Sequence, residues 1–239
     1  MRRTVDSTNT WARQHALEGA SEGTVCIAEG QTAGRGRRGH TFFSPEGTGL
    51  YLSIVLRPAI DPDQAHLLTC SAAVAVARAV ERIGGDQAAI KWVNDVYLNN
   101  RKVAGILTEG SFNMEEGKFD YALVGIGVNV RTPKDGWPED IAHRAGAVLD
   151  ENDSAAVRCQ LVAAVLDEFW NFYQLLPEDT FAEEYRQRCF LLGHAITASA
   201  GKRTLRGKAI DLDSDYRLIV EDVEGFRHAL SFGEVSVSW

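Results

Sequence analysis

The run Gly30–Phe43, Gly-Gln-Thr-Ala-Gly-Arg-Gly-Arg-Arg-Gly-His-Thr-Phe-Phe, gathers the residues best suited to hold an anion. Arg35, Arg37 and Arg38 stand among Gly30, Gly34, Gly36 and Gly39, with no acidic residue from Gly30 to Pro45. A guanidinium matches phosphate oxygens as a two-pronged donor, and glycine lets the backbone turn tightly or approach a ligand closely. At an effective dielectric of 20, one such charge about 4 Å from an anion contributes roughly 4 kcal/mol before desolvation. In a chain of net charge −8 the run is a local reversal of sign. A solvated basic surface loop would carry the same residues, so the run alone decides nothing.

Three other stretches add polar groups. Asp6-Ser7-Thr8-Asn9 reads as a helix start in which Ser7 and Thr8 can cap, and a helix N-terminus also offers donors to a ligand. Lys91 and Trp92 lie in an apolar segment running into Asn94-Asp95. Taken alone, Lys91 is either an edge residue with a packed stem or a positioned charge, and Asp95 reads as a turn aspartate. Gly125 and Gly127 sit inside an apolar strand, where glycine marks close approach by a ligand or another backbone.

The elements that must position these groups follow from periodicity and punctuation. A helix is expected from Asp6 to Gly19, a strand over Thr24–Glu29, and a turn at 44–49 leading to a strand over Leu50–Leu56. Asp61-Pro62 opens an Ala/Val-rich helix to Ile83. Ala88–Val93 is a core strand, Tyr97-Leu98 and Lys102–Thr108 form a hairpin across Asn99-Asn100, and Tyr121–Val130 is the next strand. Arg131–Gly146 reads as loop. Ser154 caps a long helix with a stripe of Val157, Leu161, Val165, Phe169, Tyr173 and Leu176, and a second helix spans Glu178–Phe190. From His194 the texture changes to short runs: Ala195–Ala200, Arg203–Leu212, Arg217–Val220, Phe226–Leu230 and Glu234–Val237. Breaks at Gly201-Lys202, Asp213-Ser214-Asp215 and Glu224-Gly225 separate them, so an α+β body with a small appended β-barrel is expected. The boundary is placed between 1–192 and 193–239.

Composition narrows the class. At 239 residues, 45% hydrophobic and 24% charged, the chain is ordinary globular protein. Cys26, Cys70, Cys159 and Cys189 are scattered without a Cys-x-x-Cys pair, which argues against a zinc site or disulfide framework and fits a reducing cytoplasm. No signal peptide or membrane span is expected. The negative net charge weighs against a nucleic-acid-binding module built on the arginine loop.

Together, Asp6-Ser7-Thr8-Asn9, Gln31–Gly39, Ser44-Pro45-Glu46-Gly47, Lys91-Trp92-Val93-Asn94-Asp95, Arg101–Leu107 and Gly125-Ile126-Gly127-Val128-Asn129 resemble, in order, the biotin protein ligases (biotin–[acetyl-CoA-carboxylase] ligases). The resemblance covers nearly the whole chain. It implies a mixed β-sheet flanked by helices, the class II aminoacyl-tRNA synthetase-like biotin/lipoyl ligase fold. The implied activity is formation of biotinyl-5′-adenylate from biotin and ATP with magnesium, then transfer of biotin to a lysine of a carrier domain.

On that resemblance Ser7, Thr8, Asn9, Gln31, Gly34, Arg35, Lys102 and Gly105 bind biotin, and Arg35, Arg37, Arg38, Lys91, Asn94 and Asn129 bind ATP or the adenylate. Arg37, Lys102 and Asp95 are the catalytic candidates; Asp95 handles the incoming lysine or helps hold magnesium. Lys102 would offset the repulsion between carboxylate and α-phosphate, and the glycine-arginine loop would exclude water from the anhydride. Three departures stand out. Val93 replaces the family's usual proline, so a looser loop is expected. Ser238 stands where some members have a nucleotide-facing arginine. Only five residues precede Asp6, so operator binding is not expected. Rival readings are a lipoate or octanoate ligase of related fold and a biotin-binding sensor without catalysis. A homodimer through an open strand edge is compatible with the sequence.

Overall fold

Every residue from Gly49 to Leu56 is buried, so this strand lies between two covered faces. The computed structural model describes residues 1–113, 115–149, 155–200, 203–231 and 233–237. Ser154, Gly201, Lys202 and Ser238, singled out above, lie outside the described residues.

Seven strands form the main sheet: β1 (Arg2–Val5), β2 (Thr24–Gln31), β3 (Gly49–Leu56), β4 (Ala89–Lys91), β5 (Asp95–Leu98), β6 (Arg101–Asn113) and β7 (Lys118–Asn129). Their order is β1-β2-β3-β7-β6-β5-β4. β1 runs parallel to β2 and the other pairings are antiparallel, giving the mixed sheet expected. The segment expected as a core strand over Ala88–Val93 is a three-residue edge strand. Asn99 (φ 48°) and Asn100 (φ 60°) turn the β5–β6 hairpin, as their tolerance of left-handed backbone allows.

The two faces of β3 go to different helices. Leu50, Leu52, Ile54 and Leu56 join the large core with α2 (His66–Gly84), whose Ala- and Val-rich face lets helix and sheet approach closely. Val55 joins Ala12 and Ala16 of α1 (Thr8–Leu17), together with Cys26, Tyr121 and Leu123. Asp61 and Gln64 form a capping box around Pro62, and a short 3₁₀ turn (Pro62–Ala65) precedes α2. A brief α3 (Glu139–Ala142) interrupts the expected loop. α4 (Ala155–Tyr173) buries Leu161, Val165 and Phe169 of its predicted stripe. α5 (Ala182–Arg188) is shorter than the helix expected over Glu178–Phe190. Among the described residues no helix is long and apolar enough to cross a membrane.

The C-terminal strands β8 (Ala195–Ala200), β9 (Arg203–Leu212), β10 (Leu218–Asp222), β11 (Arg227–Leu230) and β12 (Glu234–Val237) form a second, antiparallel sheet. Its order is β11-β10-β9-β8-β12, and the expected closed barrel is not found among the described residues. The reason is topological: β11 and β12 occupy opposite edges and do not pair. Ile196, Leu218 and Val220 belong to the same hydrophobic core as β3 and α2. Trp92 Nε1 also donates to Tyr216 O at 2.7 Å, tying the second sheet to the segment before Asn94.

Candidate active site

On the α1 side of the main sheet, the register aligns Tyr51, Gly127, Gly105 and Asp95 in one row across β3, β7, β6 and β5. The neighbouring row is Ser53, Gly125 and Leu107. Glycines in the middle of both rows leave a trough, the floor of a cleft of about 710 Å³. Protein side chains enter it. A Cβ at Gly127 would lie 2.6 Å from Phe42 Cε1, and one at Gly125 would lie 2.9 Å from Asn9 Cγ. The strand glycines thus admit Phe42 and Asn9, not another backbone as their position in a strand also allows.

The glycine-arginine loop folds back on itself. Gly36 N–H donates to His40 O at 2.7 Å and Phe42 N–H to Gly34 O at 2.9 Å, with Arg38 (φ 57°) and Gly39 (φ 82°) at the turn. A Cβ at Gly34 would meet Phe42 O and lie 2.5 Å from Ser44 Oγ. Gly34 is the one sequence candidate that does not line the cleft; it lets the loop close and so places Phe42.

The inner end of the cleft is neutral. Ser7, Thr8 and Asn9 are all buried, and Ser7 holds the N-cap position without a side-chain cap bond. The capping role expected of Ser7 and Thr8 is therefore not met. Thr8 N–H donates to Gln31 Oε1 at 2.8 Å, Gln31 Nε2 donates to Ser44 Oγ at 2.9 Å, and Ser44 Oγ donates to Phe42 O at 2.8 Å. Ser53, fully buried, lies 2.8 Å from Thr8 Oγ1 and 2.5 Å from Asn9 Oδ1.

The outer end is cationic. Lys102 Nζ lies 2.7 Å from Asp95 Oδ1, an ionic contact without hydrogen-bond alignment. Arg37 donates to Asn94 Oδ1 at 3.2 Å, and Asn94 Nδ2 donates to Ile106 O at 2.9 Å, so the asparagine amide has one orientation. Burial lowers the pKa of the Arg37 guanidinium, opposed by the Asp95 carboxylate. Asn129 donates to Lys102 O and Gly146 O, at 3.4 and 3.0 Å, bracing the start of β6. Arg38 reaches Ser199 O at 3.5 Å, and Lys91 lines the cleft from edge strand β4. Arg35 also lines the cleft, but its guanidinium is moored to Glu109 at 2.9 Å.

A cleft with a neutral hydrogen-bonding end and a cationic end fits one molecule that is polar without charge at one extremity and meets phosphate at the other. Residues 1–129 match the model of the biotin/lipoate A/B protein ligase family. The chain belongs to this family. It is 34% identical over 238 residues to the biotin--[acetyl-CoA-carboxylase] ligase of Paracoccus denitrificans, covering 97% of each chain. It is 37% identical over 240 residues to the bifunctional ligase/repressor BirA of Escherichia coli, covering 98% of this chain and 72% of that one. The solved biotin protein ligase of Aquifex aeolicus in complex with biotin and ATP superposes with a TM-score of 0.77 at 28% identity, covering 100% of this chain and 97% of the other.

Sequence reasoning missed Phe42, which lines this ligase-family cleft, and Ser53 and Glu109, which bond to its polar residues from outside the lining. A serine inside the apolar run Leu-Tyr-Leu-Ser-Ile-Val-Leu was the available signal for Ser53. Gly34 closes the loop that carries Phe42, but the place of its ring depends on Gly105 and Gly127, 63 and 85 residues away in sequence, which nothing local marks. Val93, in place of the family's usual proline, is buried and its carbonyl accepts from Tyr185 Oη at 3.0 Å.

Proposed function

We propose that this chain is a biotin protein ligase that activates biotin with ATP and transfers it to a lysine of a biotin carboxyl carrier domain. The observation that carries the reading is that one and the same cleft holds the neutral set Ser7, Thr8 and Gln31 and, at its charged end, Arg37, Lys91 and Lys102. The neutral set suits the ureido ring of biotin, which carries N–H donors and a carbonyl acceptor without net charge. A carboxylate emerging toward Lys102 then meets an α-phosphate.

In the first step a biotin carboxylate oxygen bonds to the α-phosphorus and pyrophosphate leaves. Lys102 and Arg37 offset the charge that gathers as two anions meet, which is the largest kind of contribution such a site makes. Gly105 leaves room for the Lys102 side chain and the Phe42 ring beside the ligand, and Asn94 and Asn129 face the nucleotide. In the second step the carrier lysine amine attacks the acyl carbon, the bond from that carbon to the phosphate oxygen breaks, AMP departs, and the amine's proton passes to Asp95 or to water. Asp95 lies beside Lys102 with Oδ1 buried and without a hydrogen bond. A magnesium ion, which neutralises phosphate charge when bound, is commonly held by one or two carboxylates plus substrate phosphates, and Asp95 fits that single-carboxylate role. We take 1–192 as the catalytic unit and 193–239 as an appended unit.

Pyrophosphate exchange into ATP, measured with biotin and separately with lipoate, tests the reading. Exchange that depends on biotin is expected. Exchange with lipoate alone would move the assignment to a lipoate ligase. Calorimetric biotin binding without exchange would make the chain a biotin-binding sensor.

A further inference from the structure

Glu109 stands on β6 beside the cleft, on the same face as Gly105 and Leu107 but outside the lining, with its side chain 19% exposed. Its carboxylate serves three partners: Asn9 Nδ2 at 2.8 Å, Arg35 Nη2 at 2.9 Å and Arg13 Nη2 at 3.1 Å. A carboxylate in such company is acceptor-only. Leu107 O, also acceptor-only, lies 3.4 Å from Asn9 Nδ2 on the same side. The NH₂ of Asn9 must therefore turn toward Glu109 and its carbonyl toward Ser53.

That orientation propagates. Ser53 has one hydroxyl proton and Asn9 Oδ1 can only accept, so the proton goes to Asn9 across 2.5 Å. The 2.8 Å Thr8–Ser53 contact is then made by the Thr8 proton. The longer Thr8–Gln31 contact, 3.2 Å, is left without one, and Gln31 Oε1 accepts only from Thr8 N–H. Thr8 Oγ1 and Gln31 Oε1 each keep lone-pair capacity for a ligand N–H.

The geometry points to Glu109 as the positioning residue that sets the hydrogen-bond polarity of Thr8, fixing it as an acceptor for a ligand N–H group beside Gln31 Oε1, which Thr8 N–H itself orients, while mooring Arg35 at the rim. This deepens the biotin-ligase reading and rests on it, because the N–H groups concerned are those of a cyclic urea. A site built to accept an N–H rejects an analogue that presents a lone pair there, since two acceptors then face each other.

The test is calorimetric titration of the full chain with biotin and with its isosteric cyclic carbamate, in which ring oxygen replaces one ureido N–H. Wild type is expected to prefer biotin at least a hundredfold. In Glu109→Gln, whose amide can turn either atom toward Asn9, biotin affinity is expected to fall at least tenfold and the preference to fall at least tenfold as well. Unchanged biotin affinity and preference in that variant would overturn the inference. So would an equal loss for both ligands, which is what a merely structural role produces. If Glu109→Gln does not fold, Glu109→Asp replaces it: the shorter carboxylate cannot reach Asn9 and Arg35 together, and an unshifted preference again overturns the inference. Failure of the wild type to bind biotin would instead remove the biotin-ligase reading itself.

Discussion

Lys102 and Gly105 are three residues apart on one strand, yet the Lys102 side chain lies over Gly105: a Cβ there would sit 3.3 Å from Lys102 Nζ. In a regular strand an odd separation puts two side chains on opposite faces. The register shifts between Val96 and Tyr97, so Tyr97 pairs with Lys102 while Val96 pairs with Ala104, leaving Val103 as a bulge. The bulge re-aims Lys102 onto the row that holds Asp95. With its ammonium in the cleft, Lys102→Ala is expected to slow biotin-dependent pyrophosphate exchange at least a hundredfold, about 2.7 kcal/mol of transition-state stabilisation. Arg37→Ala is expected to do the same. Near-wild-type exchange in both would remove their catalytic role.

Gly127→Ala addresses the trough. The added Cβ would lie 2.6 Å from Phe42 Cε1 and 2.9 Å from Phe42 Cζ, so the ring must leave its place between Gly127 and Gly105. Overpacking of this kind costs roughly 1–3 kcal/mol. Biotin affinity is expected to weaken about tenfold or more, read by calorimetry. A Gly127→Ala, Phe42→Ala double variant, with the obstruction gone, is expected to lose no more than Phe42→Ala does alone. If the two losses simply added, contact between these residues would not be the cause.

The sequence made most of the element order and the basic glycine loop legible because each rested on local chemistry. Asn99-Asn100 specified its own turn, Asp61-Pro62 its own helix opening, and Arg35–Arg38 their own excess of positive charge. What remained hidden depends on register. The row Tyr51–Gly127–Gly105–Asp95 exists only once four strands are aligned, and a single bulged residue decides on which face Lys102 lies. The open second sheet was hidden for the same reason: strand texture gives count and length, whereas closure depends on which edges meet. Glu109 looked like any acidic residue on a strand until Asn9, Arg13 and Arg35 converged on it.

Tyr185 is fully buried on α5, and its hydroxyl donates to Val93 O at 3.0 Å, just before Asn94 and Asp95. Removing the hydroxyl leaves a buried carbonyl unsatisfied, at about 1–3 kcal/mol. Tyr185→Phe is expected to lower stability by that amount in denaturant unfolding. It is also expected to raise the KM for ATP more than the KM for biotin, because the freed segment carries the residues assigned to the nucleotide. Equal changes in both KM values would show that the bond stabilises the fold without positioning the site.

Arg188 joins three elements on the far side of the molecule, with its side chain 12% exposed. It lies 2.6 Å from Glu81 on α2 and 2.8 Å from Glu184 on its own helix, and it donates to Ala88 O at 2.9 Å. Burial pushes the Glu81 carboxyl up, but hydrogen bonds from Arg188 and from Ala88 N–H outweigh it and hold the pKa below the ordinary 4.5. Glu184 is lowered likewise, burial being outweighed by Arg78 and Arg188. A carboxyl whose pKa is depressed by folding adds stability that is complete above its unfolded value and lost as pH falls through its folded value. Arg188→Gln is therefore expected to lower the Tm at pH 7, and the gap from wild type is expected to narrow steadily as pH drops below about 4.5. Thermal unfolding at pH 7, 5 and 3.5 measures both. A gap of constant size across that range would mean that Arg188 stabilises the helices by packing and by its bond to Ala88 O alone, with no contribution from the two carboxylates.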